Sequence, residues 1–169
     1  MERLWSPWRM AYVTGGGSAT TSCIFCAVGD SGSPDGRDAL IVLRGRVSYV
    51  ILNRFPYNNG HLLIAPYRHV AALAALTADE LSEMMWHTRH AEVALGESYK
   101  PHGINVGMNL GQSAGAGIAD HVHVHVVPRW NGDTNFMSVV GNVRVLPEEL
   151  SDTAKRLRPI FERLGTADS

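Results

Sequence analysis

Residues 121–128 read His-Val-His-Val-His-Val-Val-Pro, so that three histidines alternate with valines. Successive side chains of a strand point to opposite faces, and this period predicts one face of valines and one face of imidazoles. The valine face suits burial against a core. The imidazoles, about 6.5–7 Å apart along the strand, are then expected to line a surface or a cleft. Packing does not require three titratable rings in a row, so the run indicates chemistry.

The composition is that of one globular domain. The chain has 169 residues, of which 45% are hydrophobic and 18% are charged, and this is enough to bury a core. Fifteen basic and sixteen acidic residues leave a net charge of −1, so charge gives no reason to expect nucleic acid or a membrane surface as a partner. We expect a cytoplasmic protein, because no apolar run approaches a membrane span and the N-terminus lacks the apolar core of a signal peptide.

The order of predicted elements favours an α+β fold. Alternating apolar runs predict strands over 39–43, 46–53, 61–66, 103–109 and the histidine run. A capping box at Thr77–Glu80 predicts a long helix to about Tyr99, and 147–149 begin a C-terminal helix that ends near 164–165. We therefore expect one antiparallel sheet of about five strands. The chain is interpreted as a single domain, 1–169, with an arm and linker over 1–22, a core over 23–130 and a C-terminal extension over 131–169.

Four chemical uses of three in-phase histidines compete. They are a mononuclear metal site of the kind found in zinc hydrolases and lyases, an oxygenase or hydratase site with further ligands on neighbouring strands, nucleophilic attack of an imidazole on phosphorus, and binding without turnover. The loop before the run favours the third use. It offers small residues and backbone N–H groups that an anion can approach closely, at Asn109, Gly115, Ala116 and Gly117.

Other candidates for nucleotide contacts lie at the ends of the predicted strands. The amides of Asn53, Asn58 and Asn59 could bind ribose hydroxyls, although turn formation is the ordinary role of asparagines at such places. Trp130 follows the histidine strand and could pack on a base or a phosphate, but core or subunit packing explains it nearly as well. Trp5 and Trp8 are interpreted as interface anchors.

The run resembles the motif of the histidine triad (HIT) superfamily of nucleotide hydrolases and transferases. Residues 53–69, which end in Pro-Tyr-Arg-His, and Asn109-Leu-Gly resemble two further blocks of that family. The N-terminal Trp-Ser-Pro-Trp arm and the Trp-Asn-Gly-Asp-Thr-Asn-Phe-Met tail are similar to an actinobacterial branch of diadenosine tetraphosphate phosphorylases. The resemblance implies a HIT-like fold and an enzyme that cleaves a nucleotide substrate.

The resemblance also implies unequal roles for the three histidines. His123 would attack the α-phosphorus and carry a nucleotidyl-histidine intermediate. His125 would hydrogen-bond the non-bridging oxygens, helped by the loop over 115–117, and His121 would orient His123 through a main-chain contact or bind metal. Inorganic phosphate as the second nucleophile gives phosphorolysis, and water gives hydrolysis.

One departure from the family leaves the second nucleophile open. Phosphorylase relatives carry a serine four residues before the first histidine, where this chain has Gly117. The first expectation is phosphorolysis of diadenosine tetraphosphate. The alternatives are hydrolysis of a purine-nucleotide phosphoramidate or acyl-adenylate, and a nucleotide-binding regulator without turnover. HIT relatives are usually dimers, so we expect a homodimer or a larger homo-oligomer.

Cys23 and Cys26 form half of a zinc site by themselves, and a redox pair or two core thiols are equally possible from their spacing. The family resemblance implies a structural zinc held by Cys23, Cys26, His69 and His121. No organic cofactor is expected. The other histidines, His61, His87, His90 and His102, are interpreted as exposed or helix-surface residues.

Overall fold

The computed structural model describes residues 23–28, 37–133 and 148–167. Its strands and α-helices, in chain order, are β1 (Ile41–Arg44), β2 (Ser48–Leu52), β3 (Leu62–Pro66), α1 (Ala78–Tyr99), β4 (Gly103–Gly107), β5 (Val124–Arg129) and α2 (Leu150–Ala167). The predicted order of elements is confirmed. The division into arm, core and extension stays a prediction, and the arm with Trp5 and Trp8 lies outside the described residues. No helix in the described part combines the length and apolar character that crossing a membrane requires.

The five strands form one antiparallel sheet in the order β1-β2-β3-β5-β4. Helices α1 and α2 pack together on one face of this sheet. The valines of the histidine run supply that face, since Val122, Val124 and Val126 are all buried in the main core. The expected α+β sheet of about five strands with two helices is therefore present.

Helix α1 begins at the predicted capping box. The Thr77 hydroxyl accepts from the Glu80 N–H, while the Glu80 carboxylate accepts from the Thr77 N–H, so two donors at the helix end are satisfied. The prediction that His87 and His90 lie on the helix surface was wrong, because the side of α1 that faces the sheet carries both. Burial lowers the pKa of His87, whose ring nitrogens have no hydrogen-bond partner among the described residues.

The histidine run is only partly a strand, which corrects the prediction for 121–128. Strand β5 begins at Val124, and His121 and His123 precede it. Continuing the β3–β5 register would place Pro66 opposite Val122. A proline has no N–H to donate to a ladder, so pairing ends there. The Val122 N–H instead donates to the Val70 carbonyl, at 2.7 Å.

The loop between β3 and α1 is held by an ion pair at the start of the helix. The Arg68 guanidinium donates two hydrogen bonds to the Glu80 carboxylate, at 2.6 and 2.9 Å, and a third to the Ala75 carbonyl. The hydrogen bonds from Arg68 lower the pKa of Glu80 to about 2, and the Thr77 N–H adds to the effect. Because His69 follows Arg68, this pair also anchors the chain beside the candidate site.

We predict that Glu80→Gln lowers the free energy of unfolding by about 1–2 kcal/mol near neutral pH, since Arg68 is half exposed and solvent screens part of the pair. The pKa of Glu80 is lower in the folded than in the unfolded chain, so its contribution is present above the unfolded value of about 4.3 and is lost as the pH falls towards 2. Urea unfolding at several pH values measures the loss of stability.

Glu92→Gln, on the same helix, is the control and should leave the free energy of unfolding nearly unchanged. A loss of stability in Glu80→Gln that does not depend on pH would contradict the prediction.

Candidate active site

The candidate site lies on the face of the sheet opposite the two helices, where β5 begins. The rings of His123 and His125 lie 4.8 Å apart between centroids. His121 and His123 are buried, and His125 is half-buried. The sequence period predicted a shared face for the three imidazoles, and the structure keeps them on one side. They are more enclosed than a surface row, because Phe25 contacts the rings of His121 and His123.

His123 is oriented by the main chain of its neighbour. Its Nδ1 lies 2.9 Å from the carbonyl oxygen of His121. A carbonyl can only accept, so Nδ1 carries the hydrogen in the neutral ring and Nε2 has the lone pair. Burial lowers the pKa of His123 below its usual value, although this hydrogen bond acts in the opposite direction. The ring is therefore held neutral near pH 7, with the lone pair on Nε2.

His125 has the opposite tautomer because of a fourth histidine, His61. The Tyr57 N–H donates to His61 Nδ1, at 3.1 Å, and His61 Nε2 lies 3.0 Å from His125 Nδ1. His61 therefore carries its hydrogen on Nε2 and donates it to His125. The remaining nitrogen of neutral His125, Nε2, then bears a hydrogen. The two neighbouring rings of the run thus offer one lone pair and one N–H donor.

The prediction that His61 is an exposed residue was wrong. It is fully buried, and its ring contacts those of Tyr57 and His125. The alternation of side chains along the predicted third strand could have shown the burial of His61. It places His61 on the same face as Leu63, and Leu63 pairs with His125. That pairing joins residues far apart in the chain, and the sequence pattern alone does not state it.

His121 takes part in a second constellation with two cysteines. Its Nε2 lies 2.9 Å from the Pro66 carbonyl, so Nε2 carries the hydrogen and Nδ1 has the lone pair. Nδ1 lies 3.4 Å from Cys23 Sγ and 3.7 Å from Cys26 Sγ, and Cys26 Sγ lies 3.3 Å from His69 Nδ1. One ligand atom from each of these four residues falls within 4.8 Å of all the others.

This donor set fits a metal ion. Two thiols and two imidazole nitrogens are the ligands of a closed tetrahedral zinc site. Burial, with Cys23 beside it, raises the pKa of Cys26 to about 11, so a bound cation would have to supply the charge that stabilises the thiolate. His69 Nε2 lies 3.8 Å from the Asp120 carboxylate, on the far side of its ring from the thiols.

The predicted nucleotide-binding asparagines are placed differently from one another. Asn53 lies beside the histidines, since its Nδ2 is 3.3 Å from His61 Nδ1 while its Oδ1 accepts from the Phe55 N–H. The Asn58 amide donates to the Pro128 carbonyl and the Asp133 carboxylate. The Asn59 amide donates to Glu148, just before α2. The last two amides tie the β2–β3 loop to later parts of the chain, and nucleotide binding by any of the three stays a prediction.

The predicted phosphate loop connects β4 to His121. Gly111 and Gly115 have φ values of 83° and 87°, which glycine adopts without strain, and they flank a 3₁₀ turn over Gln112–Ala114. The N–H groups of Gly115 and Ala116 donate to carbonyls within the loop, and Asn109 Nδ2 lies 3.5 Å from the Gly115 carbonyl. A phosphate contact through 115–117 stays a prediction. So does one through Trp130, whose backbone N–H donates to the Asp133 carboxylate.

The fold and the three histidines before and within β5 define a HIT protein. A model of the HIT domain matches residues 36–132, so the chain belongs to the HIT family.

Individual relatives agree with this assignment. AP-4-A phosphorylase of Mycobacterium tuberculosis is 42% identical over 170 residues, which cover 96% of this chain and 86% of the relative. Bis(5'-adenosyl)-triphosphatase of Dictyostelium discoideum is 26% identical and covers 75% of this chain and 88% of the relative. The crystal structure of a zinc-bound histidine triad family protein from Mycobacterium smegmatis superposes with a TM-score of 0.67 at 26% identity, covering 87% of this chain and 98% of that one.

We predict that the histidine rings have fixed and different tautomers. In long-range proton–nitrogen correlation spectra at about pH 8, where an ordinary imidazole is neutral, His123 should show hydrogen on Nδ1, and His125 should show it on Nε2. His61→Leu removes the donor to His125, so the His125 signals should become those of a tautomer mixture. The His123 signals serve as an internal control and should not move. A His125 pattern unaffected by His61→Leu would contradict the assignment.

Proposed function

We propose that this protein cleaves a nucleoside polyphosphate at the α-phosphorus through a nucleotidyl-histidine intermediate on His123. Diadenosine tetraphosphate, cleaved by phosphorolysis, is the substrate we propose first. The observation that carries the proposal is the pair of contacts that assigns opposite tautomers: His123 Nδ1 lies 2.9 Å from the His121 carbonyl, and His125 Nδ1 lies 3.0 Å from His61 Nε2. A lone pair and an N–H donor on neighbouring rings are what attack on a phosphoryl group requires.

The first step forms a bond between His123 Nε2 and the α-phosphorus and breaks the bond from phosphorus to the leaving nucleotide. His123 Nδ1 keeps its hydrogen bond to the His121 carbonyl, which stabilises the positive charge that develops on the imidazole. The Nε2–H of His125 donates to a non-bridging oxygen as negative charge builds there. With diadenosine tetraphosphate, ATP leaves and AMP remains on His123.

The second step transfers the AMP group to an acceptor and restores the histidine. Inorganic phosphate as acceptor gives ADP, and water gives AMP. The 42% identity to a protein named AP-4-A phosphorylase supports phosphate as the acceptor. The similarity to bis(5'-adenosyl)-triphosphatase supports a dinucleoside polyphosphate as the substrate class.

We infer that Cys23, Cys26, His69 and His121 hold a zinc ion. Support comes from their ligand atoms, which lie together, and from the zinc-bound relative of M. smegmatis. Zinc bound by all four would have no open position for substrate, so it would cross-link the segment 23–28 to the chain before β5 rather than take part in catalysis.

We also infer a homodimer in the cytoplasm. Strand β4 is an edge strand with exposed residues, and Val106 is 53% exposed. A cleft of about 580 Å³ runs between this strand and α1, lined in part by Val93, Gly96 and Ile104. A second copy of the chain could pair with this edge about a two-fold axis. The two free cysteines suit a reducing compartment.

We predict that the products from diadenosine tetraphosphate depend on phosphate. The wild-type protein should form ADP and turn over repeatedly only when phosphate is present, because the covalent intermediate then has its acceptor; without phosphate it should release at most one ATP per active site. His123→Ala should lower the rate at least about 1,000-fold, since the nucleophile is lost. Chromatography of the nucleotides measures both.

His102→Ala, which changes an exposed histidine outside the run, is the matched control and should leave the rate unchanged. AMP with ATP in the absence of phosphate would show that water is the acceptor. Full activity of His123→Ala would refute the nucleophile.

We predict that protein purified without chelator contains one zinc ion per chain. Cys23→Ser should lose most of it, because a hydroxyl is a poor substitute for a thiolate ligand, and should melt at a lower temperature. Elemental analysis and thermal unfolding measure these effects. His102→Ala should keep the metal. Wild-type protein free of metal, or Cys23→Ser with full metal content, would count against the site.

A further inference from the structure

The segment over 23–28 is the part of the described chain that covers the histidine face of the sheet. On that face lies a second apolar cluster, separate from the core beneath the helices. Phe25 is its member from this segment, and the sheet contributes the others: Ile41, Tyr49, Ile51, Leu63 and Ala65.

Phe25 is the residue of this segment whose ring contacts two rings of the triad. Its side chain is 3% exposed. The ring lies 4.8 Å from the ring of His123 and 5.1 Å from that of His121, between centroids, at interplanar angles of 39° and 52°. Aromatic pairs at such distances are in direct contact. Phe25 therefore forms a wall against the ring of the proposed nucleophile.

The position of Phe25 is set by groups on both sides of it. Cys23 and Cys26 lie against His121 and His69, so the proposed metal ligands flank the phenylalanine in the chain. The Phe25 carbonyl accepts a hydrogen bond of 2.9 Å from the hydroxyl of Tyr49, which is fully buried in β2. The backbone at Phe25 is thus tied to the sheet, and the side chain has little freedom to move away from His123.

We propose that Phe25 is a positioning residue for the nucleophile, and this rests on the proposed function of His123. The hydrogen bond to the His121 carbonyl aligns one edge of the His123 ring, but a single bond leaves the ring able to turn about its side-chain torsions. The Phe25 ring, in contact with the His123 ring, removes that freedom and keeps Nε2 pointed into the site. Cys23 and Cys26 then affect turnover indirectly, because they fix the position of Phe25, which lies between them in the chain.

Phe25→Leu tests this role because leucine keeps an apolar, branched side chain but lacks the flat ring. Ile51→Val is the matched control: it removes a methyl group from the same cluster at a residue on β2. Two quantities are measured for each variant. One is the tautomer pattern of His123 in long-range proton–nitrogen spectra, and the other is the rate of ATP release in the first turnover at saturating diadenosine tetraphosphate.

We expect wild-type protein and Ile51→Val to show hydrogen on His123 Nδ1 alone and equal first-turnover rates. Phe25→Leu should show a mixture of tautomers and a rate lower by about 10- to 100-fold, the usual effect of a misplaced reacting group. If Phe25→Leu does not fold, Phe25→Met, which also fills irregular space, replaces it.

Two results would overturn the proposal: a Phe25→Leu protein with the wild-type tautomer and rate, or an Ile51→Val protein slowed as much as Phe25→Leu. The spectra need no substrate. A wild-type protein that releases no ATP would contradict the proposed function, and the tautomer comparison would still decide the role of Phe25.

Discussion

The hydrogen bond from His123 Nδ1 to the His121 carbonyl is the contact on which the proposed chemistry of this protein depends. A backbone carbonyl cannot donate, so the bond determines which nitrogen of His123 has the lone pair. It joins two residues of one short run, and it forms because the chain leaves the β-ladder just before Val124. Pro66, which lacks an N–H, ends the ladder at that point and accepts a hydrogen bond from the His121 ring. The end of the β3–β5 pairing, next to His121 and His123, is thus part of the candidate site.

The two faces of the sheet differ in composition: one forms the main core, and the other carries the histidines. The valines of the run bury their side chains under α1 and α2, while the histidines face the smaller cluster that contains Phe25. Each histidine ring then meets a different partner: a carbonyl and two thiols for His121, a carbonyl for His123, and the His61 ring for His125. Identical side chains acquire different tautomers because their partners differ: His123 carries its hydrogen on Nδ1, whereas His121 and His125 carry it on Nε2.

The sequence predicted the fold and the triad because both have local signals. Strand period, the capping box at Thr77 and the run at 121–128 each lie within a few neighbouring residues. What it missed depends on contacts between distant segments. The role of His61 follows from the pairing of β3 with β5, and the burial of His87 and His90 follows from which side of α1 meets the sheet. The four metal-ligand candidates were found through family resemblance, since Cys23 and His121 are far apart in the chain.

Intact-mass measurement of a trapped adduct identifies the residue that attacks phosphorus. The protein is mixed with diadenosine tetraphosphate without phosphate and quenched in alkali, in which a phosphorus–nitrogen bond to histidine survives better than in acid. We expect a mass increase equal to one AMP group, localised to His123 by peptide sequencing and absent from His123→Ala. Rapid turnover with no adduct on any residue, or an adduct on a different histidine, would contradict it.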